Sequence, residues 1–182
     1  MPPWLTQPLA TLIAASVAVV ISVINVIISL RHDSRGAFRD LLTEHVADLS
    51  DSLHQIVATS AMIPKTKTSV SHNSWCERGG KAKDKLMACR NSLRYPLWGI
   101  TEPMKTLAKL PSWVAHAKEY PEYSARLIEA GNKFSVRIDE AVFSTVMRGK
   151  RPRFLHRWRV SNAEKNMTKI YHEFQALEKK KG

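Results

Sequence analysis

Cysteine is nearly missing from this 182-residue chain, which has only Cys76 and Cys89. Two thiols exclude the multi-bridge framework of a small disulfide-rich domain. Without a C-x2-C pair they also fail as a structural zinc set, even with His72 near them in sequence. Strand signals are scarce as well, because Val and Ile rarely alternate with polar residues. No glycine or proline period, low-complexity tract or internal repeat breaks the chain into modules.

Catalytic signatures are equally sparse. His172-Glu173 opens like a zincin helix, but Ala176 stands where the second histidine belongs. Lys81 follows two glycines, yet Trp75 occupies the position where a phosphate loop needs its first glycine. Asp139 and Glu140 are adjacent and so do not face each other, while His45 lies beside an apolar stripe and reads as a core-edge histidine. Neither cysteine has a local partner signature for nucleophilic catalysis. The sequence therefore assigns no catalytic, cofactor or metal residue and points to a non-enzymatic protein.

Charge is absent altogether from residues 9–30, and this absence is the most informative of all. Twenty-two uncharged residues, 13 of them Leu, Ile or Val, can cross a hydrocarbon core of about 30 Å as one helix. Those 13 side chains contribute roughly −4 to −8 kcal/mol to insertion at about −0.3 to −0.6 each. A cleaved signal peptide fits poorly, because residues 1–8 hold no Lys or Arg and the apolar run exceeds the usual length. The expectation is a transmembrane helix over 9–30. Arg31, Arg35 and Arg39 follow it, so residues 31–182 should be cytoplasmic, with residues 1–8 a short extracytoplasmic tail and Trp4 at the headgroup level.

Within that run, Thr11, Ala15, Ala18, Ser22, Asn25 and Ser29 recur at steps of four and three, along one helical stripe. Small and hydroxylated residues let helices approach closely, and Asn25 can bond to its copy on a neighbour. The stripe predicts a homo-oligomer, and with it facing inward the spans would form a narrow, weakly polar lining. The rival is that Ser and Thr bond only to their own helix carbonyls.

Beyond the span the expected architecture is all-α, a small antiparallel helical bundle. Phe38, Leu42, Val46, Leu49, Leu53 and Ile56 mark one helix that ends before Pro64. Residues 64–80, rich in Ser, Thr, Lys and Gly, predict a flexible loop, followed by a short helix over 82–94. Residues 97–120, broken by Pro103 and Pro111, predict one or two short helices. Pro121 opens a helix with Leu127, Phe134, Ile138 and Val142 inward, and a final helix carries Phe154, Trp158, Met167, Ile170 and Phe174.

Acid is the last thing missing. From residue 61 onward there are 25 basic and 11 acidic residues, against three and five before it. Arg148, Lys150, Arg151, Arg153, Arg157 and Arg159 fall in a 12-residue stretch without a carboxylate. Guanidinium groups suit phosphates and carboxylates, so the cluster predicts an anionic partner: lipid headgroups, then an acidic protein, then nucleic acid. Phe154 and Trp158, four apart, are expected in the core beneath it. The reading is a self-associating, single-pass membrane scaffold, sensor or effector; the alternative is a membrane-tethered nucleic-acid binder.

Overall fold

The computed structural model of the protein describes residues 22–24, 29, 35–37, 39–40, 42–43, 45–94 and 96–181. The chain falls into two compact units, Met1–Phe38 and Arg39–Gly182. In the first, residues 22–24, 29 and 35–37 are helical, and Ser22 and Ser29 of the expected stripe are exposed. Thr11, Ala15, Ala18 and Asn25, like most of the expected span, lie outside the described residues. Among the described residues, no helix is long and apolar enough to cross a membrane.

Helix is the only regular structure among the described residues of the second unit. Helix α1 runs without a break over residues 45–62 and closes in a 3-10 turn, Ile63–Lys65. It is followed by α2 (Ser69–Ser92), α3 (Thr101–Leu107), α4 (Leu110–His116), α5 (Pro121–Arg148) and α6 (Phe154–Lys181). Helices α1 and α2 are antiparallel: Lys85 Nζ meets Asp51 at 2.8 Å, while Gly79, earlier in α2, packs beside Thr59, later in α1. Helices α5 and α6 form the second antiparallel pair, with Arg126 and Glu173 at 2.8 Å near their open end. The short helices run along α6. Thr106 Oγ1 donates to Glu164 at 2.6 Å, and Trp113 stacks on Tyr171 with ring centroids 4.3 Å apart.

The apolar stripes read from sequence meet in this core. Leu42, Leu49, Leu53 and Ile56 of the first helical stretch are buried, as are Leu127, Phe134, Ile138 and Val142 of α5. Val160, Met167 and Phe174 supply the inward face of α6. Glycine permits the closest approach: a Cβ at Gly131 would collide with the Leu110 methyls, so α5 and α4 pack through a missing side chain. Among the described residues, no buried side-chain hydroxyl goes unpaired. Ser60 and Thr145 donate to carbonyls four residues back at 2.7 Å, and Ser124 to Ala117 O at 2.6 Å.

Two expectations need correction. The flexible loop over 64–80 is confined to residues 66–68, because α2 begins at Ser69, where Thr68 Oγ1 accepts from Ser71 N at 3.3 Å as a helix cap. The buried face of α2 consists of Gly79, Ala82, Leu86, Cys89 and Arg90. Hydrophobic periodicity hardly registers a face made of two small residues, a thiol and an arginine around one leucine. Phe154 and Trp158 are the second correction: they are 75% and 52% exposed, not core residues. They occupy the face of α6 opposite the buried one.

Candidate functional site

The basic cluster is positioned by the turn between α5 and α6. Helix α5 stops at Gly149, whose φ of 56° is a left-handed conformation that glycine adopts without penalty. Pro152 is buried, and α6 starts two residues later. All six cluster residues therefore sit on one turn or its two flanking helix ends. Lys150, Arg151, Arg153 and Arg159 are exposed, whereas Arg148 and Arg157 are half-buried.

The two half-buried arginines serve the fold as well as the patch. Arg148 Nε donates to Ser144 O at 3.0 Å in α5 and its Nη2 to Arg151 O at 3.3 Å in the turn beyond, tying the turn to the helix. Arg157 lies 4.5 Å over the Trp98 ring, and its path crosses Gly99, where a Cβ would meet Arg157 Nε at 2.7 Å. Gly99 has φ of 84°, so both its backbone and its missing side chain are needed there. His156, half-buried, lies among these cations. Burial, then the positive charges of Arg148 and Arg159, hold its imidazole below the ordinary histidine range.

Exposed apolar side chains extend along the same end of the molecule. Val136 and Glu140 of α5 and Trp158 and Arg159 of α6 line one groove of about 540 Å³. On α5 the stripe continues from Glu140 at steps of three and four to Phe143 and Met147, each 62% exposed. On α6, Phe154 lies one turn before Trp158, and Leu155 beside it is also exposed. Glu140 is the acidic group in this groove, and Arg137 pairs with it at 2.7 Å. Arg39, the first residue of this unit, reaches the same end: its Nη2 donates to Met147 O at 3.4 Å. A cation at a helix C-terminus complements the macrodipole.

The second place where chemistry-bearing groups meet is one that sequence reasoning missed. His72 Nε2 lies 3.6 Å from Cys76 Sγ, one turn apart on α2, beside a cavity of about 350 Å³ lined by Cys76, Gly79, Pro111 and Ala115. The signal was the i, i+4 spacing, which means something only once residues 69–80 are helical. His72 Nδ1 faces the Thr66 hydroxyl at 3.4 Å and Lys118 Nζ at 3.5 Å. A lysine ammonium and a hydroxyl that already donates to Ile63 O at 2.7 Å face that nitrogen, in place of the carboxylate or amide oxygen that orients the base of a nucleophilic dyad. Cys89 is buried apart from it, and burial pushes its thiol up. Among the described residues no group of three His, Cys, Asp or Glu side chains could hold a metal ion. The α5–α6 turn, with its charge and exposed apolar area together, is the stronger candidate. No protein-family model, curated protein or solved structure matches the chain.

Proposed function

We propose that the chain is a non-enzymatic single-pass membrane protein. Residues 9–30 span the bilayer, and residues 31–182 form a basic cytoplasmic bundle on the side marked by Arg31, Arg35 and Arg39. Copies associate through Thr11, Ala15, Ala18, Ser22, Asn25 and Ser29, and the bundle acts as a scaffold, sensor or effector whose basic end contacts anionic lipid or a protein partner. One observation supports that role for the bundle. Four exposed basic side chains and three exposed apolar ones occupy residues 150–159, a stretch without acid. A solvated helix end has no need of Phe154, Leu155 and Trp158 on its outer face.

Self-association is tested on the intact chain in lipid nanodiscs, beside Asn25→Leu. The expected result is a defined oligomer that shifts several-fold toward smaller species on substitution. An Asn pair contributes only about 0.6 kcal/mol on average, but the term repeats at each helix contact. A monomer in both forms removes the assembly role and leaves a plain anchor.

A further inference from the structure

Large exposed hydrophobic side chains beside a dense basic cluster describe an interface between water and something both apolar and negatively charged. Three occupants have negative charge to offer: an acidic protein, a nucleic acid and an acidic lipid leaflet. The apolar component sets nucleic acid apart, and the proposed span keeps a leaflet, rather than an acidic protein, always beside the bundle. Nucleic acid uses aromatic platforms on which bases stack, and has no use for exposed aliphatic chains. Here Met147 and Leu155 are exposed beside Phe143 and Phe154, on both sides of one turn. Aliphatic and aromatic side chains flanking one turn, with arginines around them, match acyl chains below and phosphates above.

We propose that the α5–α6 turn is a membrane-interface anchor for an acidic leaflet. Phe154, Leu155 and Trp158 enter the headgroup–acyl boundary, while Lys150, Arg151, Arg153 and Arg159 collect on lipid phosphates. Trp158 suits that depth, since its ring is apolar and its indole N–H remains near water. The inference rests on the single-pass reading for its geometry. Arg39 is bonded to Met147 beside the turn, and it lies nine residues after Leu30. Nine residues reach at most about 32 Å, a length that lets the turn meet the leaflet that the span leaves. The bundle is thus attached at two places, covalently through the span and reversibly through the turn. Acidic lipid content and ionic strength set how often it lies down on the surface.

Trp158 and Trp4 together make the test specific. The intact chain is reconstituted into vesicles carrying brominated acyl chains, of either neutral or acidic phospholipid. The contribution of each tryptophan is isolated by difference with Trp158→Phe and Trp4→Phe. The proposal expects Trp4 to be quenched in both mixtures and Trp158 to be quenched several-fold more in the acidic one. Replacing Lys150, Arg151, Arg153 and Arg159 with Gln abolishes the second effect and leaves the first. Trp4 quenched with Trp158 indifferent to lipid charge overturns the anchor and leaves the span intact. Neither residue quenched overturns the single-pass reading and this inference with it. Trp158 emission that responds to added single-stranded nucleic acid and not to acidic lipid assigns the patch to nucleic acid and also overturns the proposal.

Discussion

Replacing Lys150, Arg151, Arg153 and Arg159 together with glutamine is expected to weaken docking of the bundle on an acidic leaflet by about a thousandfold. Each surface-proximal basic residue contributes about 1 kcal/mol of attraction, and four together make roughly 4 kcal/mol, or about three decades. The docked fraction of the intact chain in acidic nanodiscs is read from the access of an aqueous quencher to Trp158. Glutamine keeps a long polar side chain, and these four positions are exposed, so thermal stability should change little. Raising ionic strength should reproduce the loss progressively in the unaltered protein, because exposed charges are screened. Lysine at Arg151, Arg153 and Arg159 should restore most of the docking if charge is the main term, and little of it if bidentate phosphate binding is. Arg148 and Arg157 stay unchanged in this variant, because one ties the turn to α5 and the other lies over Trp98.

The largest effect on stability is expected at Phe174. It is fully buried where α4, α5 and α6 converge, with His116 at 5.1 Å, Tyr120 at 5.4 Å and Tyr123 at 5.8 Å between ring centroids. Phe174→Ala removes a whole ring from this cluster and leaves a cavity, at a cost of about 3–5 kcal/mol. Chemical denaturation of the intact chain, followed by helical circular dichroism, measures it. Phe154→Ala, on the same helix, should change stability by no more than about 0.5 kcal/mol, because that ring is 75% exposed. The contrast between two phenylalanines on one helix separates the fold from the interface. Equal losses would place Phe154 in the core and remove the apolar half of the proposed anchor.

Much of the bundle can be read from the chain because its strongest helices carry their burial on large side chains. The α5 stripe needs only the spacing of Leu127, Phe134, Ile138 and Val142, and Pro121 marks its start because a first-turn proline loses no hydrogen bond. Helix α2 is hidden for the opposite reason. Its inward face is Gly79, Ala82, Leu86, Cys89 and Arg90, and the arginine is buried because its guanidinium reaches Thr101 O, Asn91 and Glu102. Asn91 is its neighbour on α2, but Thr101 and Glu102 come from α3, and no local pattern contains them.

At the candidate interface the basic half is legible and the apolar half is not. Six cations without an acid stand out in any linear scan. Phe154 and Trp158 are misplaced because any two apolar residues four apart look like a core stripe. The phase of α6 settles the matter. Phe174 follows Phe154 by 20 residues, about 200° around the helix at 100° per residue, so the two rings cannot share a face. Met167 lies about 220° from Phe154 by the same count, with Phe174 on the buried side. The groups flanking α6 decide which of the two faces is inside, and that is tertiary information. The same holds for the Arg39 contact with Met147, which joins positions more than a hundred residues apart.

Alkaline carbonate extraction of the intact chain from reconstituted vesicles tests the account most directly. A chain held by a span over residues 9–30 stays with the lipid at high pH and high salt, and so does its four-glutamine variant, because hydrocarbon burial is indifferent to both. A chain attached only through the basic turn is released by the same wash. Retention of both proteins is the predicted result; release of the unaltered chain into the supernatant would contradict it.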